Sequence, residues 1–140
     1  MLALDYGSAR CGCAISDPTG TIVTPIEAVK RPATRRGMAR LRELVAERDP
    51  ELVLVGLPLS LSGADTEQTR ETREFARRLS EEFLKREREV PIQLFDERFT
   101  TRMAQRSGHL GEATRTSEDS RAAAHLLEIW LAERARQQAR

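Results

Sequence analysis

The start of the chain alternates short apolar runs with turn-forming residues. Leu2–Asp5 is apolar and precedes a glycine, residues 11–16 end at an Asp-Pro-Thr-Gly turn, and residues 22–28 return from that turn. Proline and glycine in those positions favour a tight reversal of the chain. Because the connections are short, the pattern predicts three strands in an antiparallel meander.

The middle of the chain alternates between helical and strand patterns. Apolar residues recur at helical spacing after Thr34, which can cap a helix that ends before Pro50. The continuous apolar run at 52–56 is typical of a strand buried on both faces, and 91–95 predicts a fifth strand. Between them lies a second helix whose apolar face comprises Thr72, Phe75, Ala76, Leu79 and Phe83.

The last third of the chain predicts two helices. A short helix at 100–106 is followed by a loop at 107–117 and by a final helix that starts near Ser117. The polar tail at 134–140 is expected to fray. The apolar stripe of the final helix comprises Ala123, Leu126, Leu127, Trp130 and Leu131. The order βββαβαβαα predicts an α/β protein, one domain over 1–140, with helices on both faces of a mixed sheet.

Composition and charge narrow the class of protein. No apolar run approaches the roughly 20 residues that span a bilayer, and no secretory signal pattern opens the chain, so we expect a cytoplasmic protein without a membrane span. The net charge is +1, yet all but two of the 23 basic residues are arginines, which bind phosphate well. From Lys30 to Arg42 there are six basic residues and no acidic one, which indicates either a solvated helix face or a phosphate-binding surface.

Common catalytic signatures are absent from the sequence. It contains no Gly-Lys-Ser/Thr phosphate loop, no GxGxxG and no HExxH. Cys11 and Cys13 lie two positions apart on one strand without a second pair of metal ligands, so we interpret them as small core residues. His109 and His125 have no obvious Ser or Cys partner for a nucleophilic triad.

Three acidic residues remain as candidates for chemistry. Asp5 ends the first strand and Glu97 follows the fifth, at the edge where open α/β sheets place their ligands. Asp119 lies at helical spacing from Ala123, which would direct its carboxylate toward the sheet. Each residue also has a structural interpretation: a turn for Asp5, a polar loop for Glu97 and a helix cap for Asp119.

The three acids together indicate more than each does alone, because they are expected to lie close to one another. Carboxylates brought to one place repel each other unless a cation neutralises them. A cluster of Asp and Glu without His or Cys suits Mg²⁺ or Mn²⁺, and two such ions about 4 Å apart can clamp the oxygens of a phosphodiester displacement. Asp5, Glu97 and Asp119 are therefore candidates for a catalytic metal site.

Four motifs resemble the YqgF/RuvX family, a group of Holliday-junction resolvase-like proteins that are also described as pre-16S rRNA nucleases. They are LDYGSARCGCAISD at 4–17, GLPLS at 56–60 with Gly63, FDERFTT at 95–101 and DSRAAAHLL at 119–127. The motifs come in the family's order and span nearly the whole chain.

The resemblance implies a ribonuclease H-like fold with sheet order 3-2-1-4-5, and metal-dependent hydrolysis of nucleic-acid phosphodiesters with Mg²⁺ or Mn²⁺. It favours 5′-end processing of pre-16S rRNA, by a monomer or a homodimer. A Holliday junction resolvase and a catalytically weak nucleic-acid-binding module remain alternatives. A phosphotransferase like the actin-like ATPases would need a second lobe, for which 140 residues leave no room. The expected nucleic-acid-binding residues are Gly7, Ser8, Arg10, Arg98, Thr100, Thr101, Arg115 and Arg121.

The fourth strand departs from the wider superfamily. Many ribonuclease H-like enzymes carry an acid there, whereas this strand ends in Gly56. Since neighbouring strands are about 4.8 Å apart, Glu97 would start about 10 Å from Asp5. A metal ion would help to close that gap, and Gly56 has no side chain to block it.

Overall fold

Five strands and three helices form the part of the chain that the computed structural model describes, residues 1–84, 90–97 and 118–139. In chain order they are β1 (Leu2–Asp5), β2 (Arg10–Ser16), β3 (Val23–Lys30), α1 (Arg35–Arg48), β4 (Val53–Leu57), α2 (Glu67–Leu84), β5 (Ile92–Asp96) and α3 (Glu118–Gln138). The predicted helix at 100–106 and the predicted loop at 107–117 lie outside the described residues.

The sheet has the order β3-β2-β1-β4-β5. The first three strands form the predicted antiparallel meander, and β4 and β5 then add in parallel beside β1. The predicted order 3-2-1-4-5 is therefore confirmed. Because β1, β4 and β5 are parallel, their carboxyl ends lie at one edge of the sheet.

Two cores cover the two faces of the sheet, as predicted. Side chains alternate along β1, so Leu2 and Leu4 pack with α1 and α2, whereas Ala3 packs with α3. The α3 face of the inner strands consists mainly of small residues such as Ala3 and Ala14, which allow the helix to approach closely. The same alternation turns Asp5 toward the α3 side.

The helix cap, the helix end and the apolar face that the sequence predicts for α1 and α2 are confirmed. The Gly37 N–H donates a hydrogen bond of 3.1 Å to Oγ1 of Thr34, the N-cap of α1. This helix ends at Asp49, in a left-handed conformation, immediately before Pro50. In α2, the five residues of the predicted apolar face are all buried.

The two cysteines are core residues, as predicted. Cys11 and Cys13 are free thiols that are fully buried in the cluster beneath α1 and α2. Hydrogen bonding to Cys13, together with burial, raises the pKa of Cys11 well above its ordinary value. A protonated, inaccessible thiol is a poor nucleophile and a poor metal ligand.

The predicted fraying of the carboxyl-terminal tail is wrong. The α3 helix continues to Gln138, well past the start of the polar tail at 134. The guanidinium of Arg134 lies over the Trp130 ring at 5.3 Å from its centroid, and this contact joins the first residue of the tail to the preceding turn of the helix. In the ranges that the structure describes, no helix is long and apolar enough to span a membrane.

Candidate active site

Asp5 and Glu97 lie at the same edge of the sheet, on either side of β4. Asp5 is the last residue of β1, and Glu97 directly follows β5. The Glu97 N–H donates to the carbonyl oxygen of Leu57 at 3.2 Å, which extends the β4–β5 ladder by one residue. The main chain on both sides of the site is thus held by the sheet itself.

The side chain of Glu97 crosses β4 above Gly56. A Cβ atom built on Gly56 would overlap Oε2 of Glu97 and would lie 3.1 Å from Cδ2 of Leu126. Because β4 has no side chain at this position, the Glu97 carboxyl reaches Asp5 and forms a side-chain hydrogen bond with it. The gap expected between the two strands is therefore closed by the side chain itself.

The Asp5–Glu97 pair retains a proton near neutral pH. Burial raises the pKa of Asp5 to about 6, with a further contribution from the charge of Asp119. Burial and the neighbouring charge of Asp5 raise the pKa of Glu97 to about 8. Both shifts favour a pair that shares one proton over a pair that carries two negative charges.

The first turn of α3 is fixed to β2 through its main chain. A Cβ on Gly12 would overlap main-chain atoms of Asp119 and Ser120, so only glycine permits this approach. The Cys13 N–H donates a hydrogen bond of 3.1 Å to Oγ of Ser120, which is fully buried. This arrangement places Asp119 at the same edge as the carboxyl pair.

The carboxylate of Asp119 has a partner of its own. The sequence predicts that this side chain points at the sheet. In the structure, the main chain of Asp119 packs against the sheet instead. The side chain is 44% exposed, and its Oδ2 lies 3.9 Å from Nε of Arg10. Such an exposed ion pair contributes about 1 kcal/mol or less, so it is easily exchanged for another interaction.

The structure brings two of the three predicted acids into contact and sets the third beside them. Asp119 is close enough for its charge to raise the pKa of Asp5. Among the described residues, however, no three His, Cys, Asp or Glu side chains are grouped as a metal site would require. The donor set still fits a hard cation, because the Asp5 and Glu97 oxygens converge and a proton occupies the place between them.

The predicted nucleic-acid-binding residues fall into three groups. Gly7, Ser8 and Arg10 lie in and beside the β1–β2 turn, where a Cβ on Gly7 would lie 2.8 Å from the carbonyl oxygen of Arg10. Arg121 is partly buried in α3, and its Nε and Nη1 have no acceptor among the described residues. The remaining four, Arg98, Thr100, Thr101 and Arg115, lie outside the described residues.

Sequence reasoning missed two residues that position the site. Gly12 and Ser120 hold the start of α3 on β2, yet neither was singled out. A glycine within an apolar strand is a signal of close approach by another part of the backbone, and that signal was present at Gly12. Ser120 gave no comparable signal, because its role depends on a strand distant in sequence.

Solved structures share this arrangement of sheet and helices. Thermus thermophilus RuvC, solved in complex with a Holliday junction substrate, has a TM-score of 0.57 and 20% identity, over 96% of this chain and 96% of that chain. The fold is therefore ribonuclease H-like. With acids at the ligand-binding edge of its sheet, the chain falls into the class of nucleases, hydrolases that act on ester bonds.

More particularly, the chain belongs to the RuvX family, described as "Holliday junction resolvase", which matches residues 1–133. A relative from Mycobacteroides abscessus is 40% identical over 96% of this chain and 82% of its own length. Another from Koribacter versatilis is 41% identical over 76% of this chain and 66% of its own length. Each of these relatives is named "Putative pre-16S rRNA nuclease".

Proposed function

We propose that this protein is a divalent-metal-dependent nuclease that hydrolyses phosphodiester bonds in structured nucleic acid, and that its role is 5′-end processing of pre-16S rRNA in the cytoplasm. The observation that carries the proposal is the Asp5–Glu97 pair, two partly buried carboxyls joined by a hydrogen bond at the ligand-binding edge of the sheet. The names of the relatives support rRNA as the substrate.

Asp5 and Glu97 are the residues that would hold Mg²⁺ or Mn²⁺. Loss of their shared proton leaves two converging carboxylates, and a cation compensates that charge. A bound divalent ion supplies positive charge for the attacking and leaving oxygens of the phosphodiester. The hydrogen bond from the Glu97 N–H to the Leu57 carbonyl oxygen holds the main chain of Glu97 in place without help from the ligand.

In this proposal, substrate binding breaks the ion pair between Asp119 and Arg10, and each side chain takes a new partner. In the free protein they form the exposed ion pair. A substrate phosphate competes for the Arg10 guanidinium, because arginine binds phosphate through two parallel hydrogen bonds. Asp119 is then released toward Asp5, where it completes the set of three acids. The site thus assembles fully only when nucleic acid is present.

Several predicted residues serve the nucleic acid in this proposal. Arg10 and Arg121 hold phosphates close to the acids, and Nε and Nη1 of Arg121, which lack an acceptor among the described residues, suit an anionic oxygen. Gly7 and Ser8 bring the β1–β2 turn close to the backbone of the substrate. Arg98, Thr100, Thr101 and Arg115 remain predictions from the sequence.

Resolution of branched DNA is the second candidate function. The similarity to RuvC over nearly the whole of both chains favours it, as does the description of the family. Two symmetric cuts in a four-way junction would require a homodimer, whereas a single cut in a precursor RNA requires only a monomer. The oligomeric state of the active species therefore helps to separate these functions.

The proposal is tested by comparing cleavage of two substrates side by side. The protein is incubated with labelled precursor 16S rRNA and with a labelled four-way DNA junction, each with Mn²⁺ or Mg²⁺ and each with EDTA as a control. We expect metal-dependent cleavage of the RNA. Cleavage of the junction alone would favour the resolvase, and metal-independent binding without any cleavage would leave only a nucleic-acid-binding module.

A further inference from the structure

The basic run from Lys30 to Arg42 divides into two halves in the structure. In the second half, Nη1 of Arg40 lies 3.4 Å from Glu43 and 3.5 Å from Glu47. Arg42 reaches across to α2, where its Nη1 lies 2.6 Å from Oε2 of Glu82. These two arginines are neutralised by acids, and for them the interpretation as a solvated helix face holds.

The first half of the run has no such partners. Four exposed cations form no ion pair with any residue that the structure describes, and the first turn of α1 contains no acidic residue. We call these four residues, Lys30, Arg31, Arg35 and Arg36, the basic strip. Its net positive charge is thus not balanced within the described part of the fold.

The basic strip continues directly from the candidate active site. Lys30 is the cross-strand partner of Arg10, the residue that pairs with Asp119. The Arg31 N–H donates to the carbonyl oxygen of Ala9 at 2.9 Å. Since β3 is the outer strand of the sheet, the strip runs from the acids around that edge to the start of α1.

Hydrogen bonds and close packing hold the backbone of the basic strip in one conformation in the free protein. Arg31 has a left-handed φ of 44°, an uncommon conformation for a residue with a side chain. Its carbonyl oxygen accepts hydrogen bonds from the Thr34 N–H at 3.1 Å and from Thr34 Oγ1 at 2.7 Å. A Cβ on Gly37 would overlap that same carbonyl, so the first turn of α1 packs tightly on Arg31.

We propose that the basic strip binds the phosphate backbone of the nucleic-acid substrate outside the cleavage site. This inference rests on the proposed function, because it assumes that the partner is a nucleic acid. Three arginines and a lysine that form no ion pair within the described residues suit a polyanion, and the amino end of α1 adds partial positive charge. Contacts of this kind fix the position of the substrate and read no sequence.

The test compares two double variants of α1 that remove the same charge. Arg35→Gln/Arg36→Gln alters the basic strip, and Arg40→Gln/Arg48→Gln removes two exposed arginines elsewhere on the same helix. Binding of a labelled RNA duplex is measured in EDTA across a salt series. We expect the first variant to lower the salt slope of log K by about two units, and the second to leave it unchanged.

Equal slopes for the two double variants would overturn the proposal. Because EDTA prevents metal-dependent cleavage, the result does not depend on whether the protein is a nuclease. Strip-dependent binding without any cleavage in Mn²⁺ would support the strip and contradict the proposed function. Cleavage in Mn²⁺ with no difference in salt slope between the two variants would support the proposed function and contradict the role of the basic strip.

A membrane surface is the competing polyanion. Vesicles that contain phosphatidylserine are therefore tested with the same two variants. If Arg35→Gln/Arg36→Gln abolished binding to vesicles but left binding to the RNA duplex intact, the strip would not be a nucleic-acid surface. The melting temperature of both variants is recorded, and we expect it to match that of the original protein because all four side chains are exposed.

Discussion

Glu97 reaches Asp5 by lying over Gly56, the residue of β4 that has no side chain. In the proposed site, the fifth strand supplies an acid across the gap in place of an acid on the fourth strand. The position of Gly56 matters as much as that of the two acids, since any Cβ there would occupy the place of the Glu97 carboxyl.

The first prediction concerns Gly56→Ala. The added methyl group displaces the Glu97 carboxyl and presses on Leu126. A displacement of about 1 Å at a reacting group can cost about 100-fold in rate, so we expect at least that loss of nuclease activity. The melting temperature should change little, because the displaced carboxyl is the flexible end of a side chain. Unimpaired cleavage by this variant would show that Glu97 can act from another position.

The second prediction is a loss of stability with rising pH in the absence of metal. The pKa values of about 6 for Asp5 and about 8 for Glu97 both exceed the ordinary values of 3.8 and 4.5. The folded protein thus binds more protons than the unfolded chain between about pH 4 and pH 8. Its free energy of unfolding should fall as pH rises through that window, and it is highest below about pH 4 as far as these two groups are concerned.

Thermal melts in EDTA across this pH range measure the effect. Glu97→Gln provides the matched comparison, because glutamine can donate the same hydrogen bond to Asp5 but has no proton to lose. The variant should keep its melting temperature where the original protein loses stability, between pH 6 and pH 8. Parallel curves for the two proteins would mean that the carboxyl pair does not share a proton.

The third prediction is stabilisation by divalent ions. Mn²⁺ compensates the paired carboxylates, so it should raise the melting temperature, and more strongly at pH 8 than at pH 6 because it competes with the shared proton. A ligand at about 100 times its Kd adds about 2.7 kcal/mol to the free energy of unfolding. Asp5→Asn should be at least as stable as the original protein without metal and should gain nothing from Mn²⁺. No response of the original protein to millimolar Mn²⁺ would remove the basis for a metal site.

The fourth prediction separates the two roles of Asp119. If it only stabilises the start of α3, Asp119→Asn costs about 1 kcal/mol or less and leaves cleavage nearly intact. As a member of the metal site, it should keep its fold as asparagine but lose activity by orders of magnitude. Melting curves and cleavage rates of the variant decide between these outcomes. A variant that melts early yet cuts at a near-normal rate would exclude Asp119 from the site.

Arg10→Gln offers an independent check on Asp119. Loss of the guanidinium frees the Asp119 carboxylate, so Mn²⁺ should bind more tightly to this variant than to the original protein when no nucleic acid is present. Arg40→Gln removes the same charge at a distance and serves as the control. Titration calorimetry measures both affinities, and equal Kd values would contradict the exchange of partners.

Periodicity and turn chemistry predict most of the helices and strands, whereas the sheet order came from the family resemblance. The apolar run of β4 and the Thr34 cap are local signals, and each matches the structure. The prediction for the tail beyond 134 is wrong because polar composition alone does not show that α3 continues to Gln138.

The details of the candidate site depended on contacts between distant residues. The reach of Glu97 over Gly56 depends on a side-chain conformation, which strand spacing alone does not reveal. The division of the basic run likewise depends on Glu82, an acid on another helix that the sequence does not connect with Arg42.

The most direct test of the proposed active site is Mn²⁺-dependent cleavage of precursor 16S rRNA by the original protein and by Glu97→Gln. Glutamine fills the same volume and keeps a hydrogen bond to Asp5, so the fold and the binding of RNA in EDTA should be unchanged. We expect the variant to lose about a thousandfold or more in cleavage rate, on the scale of losing a contact to the transition state. Cleavage by Glu97→Gln at a rate close to that of the original protein would contradict the role of the Asp5–Glu97 pair.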